Sequence, residues 1–277
     1  MQAVLSGEDK RVGKLATKIY RVVSQNMNMR GSFVEYEYVE RTLMSLLAIT
    51  PTIVVMNEVS SQSVDYVTYI LKNNGYTAAA SEVGRNLIVV GVKDGEGLTV
   101  IDVEELIQDR TTPDFLSVLI ENQEGQQFRV IGVRIKILPY GIKTTRDALA
   151  ASHEDASRAE QFKRLMNYLE TLDEDKLMIV GDFNLARRIG ARDLDYNAAM
   201  IGYQDKAQKL YNYHSAKSVM SDLEIKLAVS EGETDRTRDF VFSRGVELDS
   251  VRLIGNPYFG ARVGLLDHHT LFMEATI

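Results

Sequence analysis

At 277 residues, 45% hydrophobic and 26% charged, the chain has the balance of an ordinary globular protein, long enough for one large domain or two small ones. Its net charge of −7 excludes a coating of basic surface for sequence-independent nucleic-acid binding, and the absence of cysteine excludes disulfides, disulfide-linked partners and thiolate metal sites. With four histidines available, any metal would be held mainly by carboxylate and amide oxygens.

The opening stretch, MQAVLSGEDKRVGKLATK, is charged and lacks an apolar segment. It reads as a polar arm over 1–18, ahead of one domain over 19–277, and not as an export signal. No apolar run approaches the roughly 18 residues that span a bilayer, so a cytoplasmic protein without a membrane partner is expected. IYRVVSQNM (19–27) and TIVVMNEV (52–59) are predicted strands, and YVERTLMSLLA (38–48) between them has helical spacing. VDYVTYILKNNGY (64–76) is predicted as a helix stopped by Asn-Gly.

NLIVVGVK (86–93), LTVIDV (98–103), DFLSVLIEN (114–122) and FRVIGVRIKI (128–137) then follow with little but turns between, as in an antiparallel or mixed meander. DASRAEQFKRLMNYLETL (155–172) gathers its large apolar residues on one face and predicts a helix covering a sheet, and KLMIVGDFN follows as a buried strand. DFVFSRG (239–245), DSVRLIG (249–255) and HTLFMEATI (269–277) are further strands. The chain shows no internal repeat or linker, and the pattern fits a single α/β domain with paired sheets inside and helices outside.

The acids and amides fall where these strands end. Asn26 ends the first and Glu58 the second; Asp182 and Asn184 lie just beyond the central one, and Asp267 and His268 just before the last. Strand ends of a twisted α/β sheet open onto a common edge, so residues far apart in sequence can share one cleft. Glu58 and Asp267 are hard oxygen ligands suited to Mg²⁺ or Mn²⁺. Asp182 could orient or deprotonate a water, and Asn184 could donate to a phosphoryl oxygen. His268, supported by an acid such as Asp239, could supply a proton or stabilise charge. Together they suit metal-assisted hydrolysis of a phosphoester.

GDFN at 181–184, the Glu of VVMNEV, the Asn of SQNMN, RDFVFS at 238–243 and DHHTL at 267–271 resemble, in order, the successive motifs of the endonuclease/exonuclease/phosphatase superfamily, whose deoxyribonuclease I-like members are nucleases. The resemblance implies a four-layer α/β sandwich, with two central mixed β-sheets flanked by helices. It implies Asn26, Glu58 and Asp267 at a Mg²⁺ (or Mn²⁺) ion, Asp182 aligning the attacking water, Asn184 beside the phosphate, and Asp239 supporting His268. Arg158 and Gln161 fall where the family often carries structural Arg and Gln. The chain departs from the pattern at Asn57, often Gln, at Leu266, usually Ser, and at Arg134, which stands where a His or Tyr normally faces the phosphate. A guanidinium there could bind phosphate oxygens but not act as a general acid.

Each of these residues also has a plainer reading. Asp182 and Asn184 could form only a turn, and His268 and His269 could be a surface pair; strand alternation sends one of the two toward any given face, and His268 is favoured. His153 and His214 read as solvated. Arg187, Arg188 and Arg192 in LARRIGAR, with Lys136, Lys143 and Arg146, read either as exposed loop or as a basic rim for a polyanion. Tyr196, Tyr203, Tyr211 and Tyr213 read as half-buried packing more readily than as base-stacking residues. The expected activity is a metal-dependent phosphodiesterase, with nucleic acid as substrate. The alternatives are a phosphatase on a small phosphoester such as an inositol phosphate or nucleotide, and an inactive interaction module.

Overall fold

The structure is a computed structural model; it describes residues 18–29, 35–84, 86–106, 115–136, 145–185, 213–231, 238–255 and 268–277. Strands β1 (Ile19–Asn26), β2 (Ile53–Ser60), β3 (Tyr76–Ala80), β4 (Asn86–Lys93), β11 (Glu247–Ile254) and β12 (Thr270–Thr276) form one sheet, in the order β11-β12-β1-β2-β4-β3. The other sheet has the order β5-β6-β7-β8-β10-β9, from β5 (Leu98–Leu106), β6 (Phe115–Asn122), β7 (Gln127–Arg134), β8 (Leu177–Asp182), β9 (Lys226–Ala228) and β10 (Asp239–Arg244). Helices α1 (Tyr36–Leu47) and α2 (Val64–Asn73) pack on the first sheet, and α3 (Thr145–Leu169) and α4 (Tyr213–Asp222) on the second. The expected sandwich of two mixed sheets flanked by helices is what forms.

The burial pattern explains the layers. In α1, Val39, Thr42, Leu43, Leu46 and Leu47 are buried, a spacing that lines one helical face toward the sheet. All eight residues of β2 are buried, as a strand covered on both faces requires. Val22, Val55, Ile88 and Val90 of the first sheet and Val118, Val130, Met178 and Val180 of the second belong to one apolar cluster that joins the sheets. The sheets approach so closely that a Cβ at Gly132 would lie 2.6 Å from Ile88 Cγ2 and 3.1 Å from Val55 Cγ1.

Three local expectations are corrected. The proposed meander divides between sheets: β4 pairs with β2 and β3, and the chain crosses to the other sheet before β5. The helix predicted over 155–172 spans Thr145–Leu169; its first turns, TRDALAAS, hold one large apolar residue, Leu149, and so carry no apolar period to read. After α2, Asn74 and the left-handed Gly75 (φ 73°) stop the helix, but Tyr76 already begins β3, its hydroxyl donating to Pro51 O at 2.6 Å. Neither α4 nor the short β9 was expected.

The only parallel pairings among the described strands are β1 with β2 and β7 with β8, at the middle of each sheet. Each pair is joined through a helix, so both of its strands finish at the same edge. The antiparallel β10 and β12 begin at that edge. Topology therefore delivers the ends of β1, β2, β7 and β8 and the starts of β10 and β12 to one region.

At the start of β7, Arg129 binds Glu174 Oε1 through Nε (3.1 Å) and Nη2 (2.5 Å), and donates from Nη1 to Ser117 Oγ and Tyr168 Oη. This network fastens α3 and the segment before β8 to the sheet. Burial opposes ionisation of Glu174, but Arg129 outweighs it and holds the carboxyl below its ordinary 4.5. A depressed carboxyl contributes stability above its unfolded pKa and loses it as pH falls through the folded one. Glu174→Gln should therefore be less stable than wild type at neutral pH, and the difference in urea midpoint should shrink as pH drops below 4.5.

Candidate active site

Two bends make the edge. In β2, Met56 pairs with Val89 and Val59 with Leu87, so Asn57 and Glu58 together oppose Ile88 in a bulge. Glu58 adopts φ 54°, a left-handed conformation that costs a non-glycine residue about 1–2 kcal/mol. The distortion re-aims its carboxylate out of the strand's alternation and toward the neighbouring sheet. In GDFN, Gly181 (φ 145°) brings β8 against β7: a Cβ there would lie 2.1 Å from Val133 O and 2.9 Å from Asn57 Nδ2. Phe183 is fully buried against Phe242, with ring centroids 5.1 Å apart. Asn184 (φ 48°) closes a turn in which its N–H donates to Asp182 Oδ1 at 2.8 Å. The turn reading of Asp182 and Asn184 thus holds, and it leaves Asp182 at the edge.

Two links cross between the sheets at this edge. Asn26 Nδ2 donates to Asp182 Oδ2 at 3.0 Å, and Arg134 binds Glu58 Oε1 through Nε at 2.8 Å and Nη2 at 2.6 Å. Asn184 Nδ2 also donates to Asp182 Oδ2 (2.9 Å) and to Ile135 O (2.7 Å). Within the second sheet Asp182 stands in register with Arg134 on one side and Asp239 on the other. Asp239 Oδ2 holds His268 Nδ1 at 2.5 Å, which fixes the ring. Donor atoms of Asp182, Asp239 and His268 lie within 4.8 Å of one another.

Burial pushes the Asp182 carboxyl up to about 7; Asp239 and Glu58 add to the rise, while His268 and Arg134 oppose it. Burial likewise opposes ionisation of Glu58, but Arg134, with His268 and a hydrogen bond from Asn26, holds that carboxyl below the usual range. The two acids, one on each sheet, are driven apart in acidity by their neighbours.

Of the residues singled out in the sequence, Asn26, Glu58, Arg134, Asp182, Asn184, Asp239 and His268 are brought together. Asp267, Arg187, Arg188 and Arg192 lie outside the described residues, as do Leu266 and Lys143. His153 and His269 are exposed, in keeping with the choice of His268. Arg158 Nη2 donates to Asn184 O (2.7 Å), while Gln161 donates to Arg134 O and accepts from Lys136 N, both at 3.0 Å, so these two side chains secure the strand ends. One expectation changes. Arg134, expected to face the phosphate, turns its fork onto Glu58.

The sequence reading missed Gln25 and Thr270. Gln25 is fully buried; its Nε2 donates to Asn26 O (2.7 Å) and His268 O (3.2 Å), and its Oε1 accepts from Thr270 Oγ1 (2.5 Å). This clamp ties the backbone at His268 to that at Asn26. Its only sequence signal is an amide inside an otherwise buried strand, which many structural positions share.

The donors fit a hard divalent ion, being oxygens and one imidazole nitrogen. They are not equally available. Asp182 accepts three amide N–H groups and Asp239 Oδ2 is committed to His268, whereas Arg134 takes only Oε1 of Glu58. Asp239 Oδ1, buried with no hydrogen-bond partner among the described residues, Glu58 Oε2 and the second lone pair of Asn26 Oδ1, whose first accepts Asn28 N at 2.9 Å, are the more open positions.

No protein-family model matches the chain, and no curated protein matches it. Solved structures do. D. rerio TDP2 complexed with a single-strand DNA product is 18% identical with a TM-score of 0.57, over 94% of this chain and 99% of that one. The human Nocturnin catalytic domain is 15% identical with a TM-score of 0.61, over 93% and 94%. A Bacteroides thetaiotaomicron mannosyl-6-phosphatase is 10% identical with a TM-score of 0.61, over 93% and 100%. The chain shares its fold with these structures and with a Bacteroides vulgatus protein named an endonuclease/exonuclease/phosphatase, 13% identical with a TM-score of 0.58 over 94% and 99%. The shared fold extends over nearly the whole chain. Among the described residues no helix is long and apolar enough to cross a membrane.

Proposed function

We propose that the protein is a metal-dependent phosphodiesterase, a nuclease that hydrolyses phosphodiester bonds of DNA or RNA in the cytoplasm. The observation that carries this reading is the buried Asp182, held by Asn26 across the sheets and by Asn184 within its own turn, facing the Asp239–His268 pair. Asp182 aligns the attacking water and accepts its proton, a task suited to a carboxyl pushed up to about 7. Asn184 helps to fix Asp182 and lies beside the phosphate. His268, oriented through Nδ1 by Asp239, presents Nε2 to the phosphoryl oxygens.

Glu58 and Asn26, with Asp267, would hold a Mg²⁺ or Mn²⁺ ion, which when bound supplies Lewis-acid polarisation of the phosphate and stabilises the leaving oxygen. Arg187, Arg188 and Arg192 would guide the polyanion. The similar solved structures include one with a DNA product and one named a sugar phosphatase, so the fold leaves the substrate open and the preference for nucleic acid rests on the basic segment. Supercoiled plasmid should be nicked with Mg²⁺ and left intact with EDTA. Intact plasmid alongside rapid phosphate release from an inositol phosphate would replace the nuclease reading with the phosphatase one. No activity on any phosphoester, with no binding of Mg²⁺ by calorimetry, would leave an interaction module.

A further inference from the structure

Arg134 and Glu58 form an ion pair with little contact with solvent, their side chains 9% and 10% exposed. Both contacts of the guanidinium go to a single oxygen, Oε1. Gln161 pins the backbone just after the Arg134 side chain, at Arg134 O and Lys136 N, so the stem is anchored while the fork reaches across to the other sheet. Glu58 is itself held in a strained backbone conformation that aims it at this partner. Two cations therefore have a claim on one buried carboxylate: the side chain that now holds it, and the divalent ion assigned to it above. Sharing it would set a guanidinium and a divalent charge within a few ångströms of each other in a poorly screened site, which is strongly repulsive. A buried guanidinium that gives up its carboxylate needs another anion, because an unpaired buried charge is costly. The anion that enters this cleft is the substrate phosphate, whose geometry a guanidinium matches.

We propose that Arg134 is an internal counter-ion that the divalent metal must displace from Glu58, and that the phosphodiester anion receives it, so that metal and substrate bind in a mutually reinforcing way. The inference rests on the reading of Glu58 as a metal ligand. Arg134 then serves two purposes in turn. It neutralises Glu58 without the ion, and it grips the phosphate once the ion has taken its place. By linkage the coupling is reciprocal: the anion tightens metal binding as much as metal tightens anion binding.

The test is calorimetric titration with Mn²⁺, with and without dimethyl phosphate, a small phosphodiester anion. Wild type should bind Mn²⁺ weakly alone and roughly 10-fold more tightly with the anion, within the usual range of such couplings. Arg134→Gln should bind Mn²⁺ about 10-fold more tightly than wild type without the anion and gain at most about 2-fold from it, on the same coupling scale. Removal of a positive charge alone would raise metal affinity but leave the anion effect intact, and that pattern overturns the exchange. Thermal melts establish that the variant is folded, and Arg134→Met, which keeps the volume in apolar form, serves if the glutamine variant is not. If neither variant folds, the wild-type titration decides: no gain on adding dimethyl phosphate overturns the proposal. Equal Mn²⁺ affinity in wild type and variant overturns it while sparing the metal-dependent reading, whereas no Mn²⁺ binding by either protein overturns both.

Discussion

Asp182→Ala should lower the rate of Mg²⁺-dependent plasmid nicking by about 10³-fold or more, the scale on which a positioned acid–base group acts, while the protein remains folded by circular dichroism. Two opposing effects keep the structural change small. The substitution strands three donors, Asn26 Nδ2, Asn184 N and Asn184 Nδ2, that now end on the carboxylate. A buried donor left without an acceptor costs about 1–3 kcal/mol. Against this, it removes a carboxyl whose burial disfavours its charge and pushes it from 3.8 up to about 7.

A raised folded pKa contributes stability that is complete below the unfolded value and is lost as pH rises through the folded one. With EDTA present, wild-type melting temperature should therefore fall as pH rises from about 4 to about 7, and Asp182→Ala should lack that component. A variant that nicks plasmid at the wild-type rate would remove Asp182 from the chemistry. A melt slope unchanged by the substitution would place the titrating group elsewhere.

Gly181→Ala should be the most destabilising single methyl at the edge. The added carbon meets the Val133 carbonyl oxygen at 2.1 Å, and that atom belongs to the backbone of the parallel partner strand. It has no rotamer by which to retreat, and the φ of 145° is itself foreign to alanine. A loss of about 3 kcal/mol or more is expected from overpacking and backbone strain together. At about 2–4 °C per kcal/mol for a chain approaching this size, the melting temperature should drop by roughly 6–12 °C. Nicking should fall as well, because the displaced residue adjoins Asp182. Gly255→Ala, where the added carbon has no neighbour within 4 Å among the described residues, should change the melting temperature little. Similar melting of Gly181→Ala and Gly255→Ala would show that β7 and β8 can separate at this point.

Much of the architecture was legible because local pattern and final layer agree. The apolar run IVVM that opens β2 announces a strand covered on both sides, and GDFN announces where one stops. The sorting of strands between sheets was not legible. β4 and β5 are separated by a short turn, and nothing in their residues states that one pairs with β2 and the other with β6. At the site, the convergence of Asn26, Glu58, Asp182, Asp239 and His268 was readable from their places at strand ends. The partner of Arg134 was not, since Glu58 lies 76 residues away and faces it only through a bulge that no spacing rule encodes. Gln25 escaped for a related reason: its contacts with His268 and Thr270 span more than 240 residues.

The near approach of the layers at Gly132 has a consequence for the distance between the two halves of the cleft. Glu58 and Asn26 ride on one layer, Asp182 and Asp239 on the other, and the gap between them is set by a hydrogen atom where other residues would carry a methyl. A spacer inserted there would prise the jaws apart a short way behind their tips, so the aperture of the cleft is gauged in the dry interior, by a buried residue that takes no part in lining it.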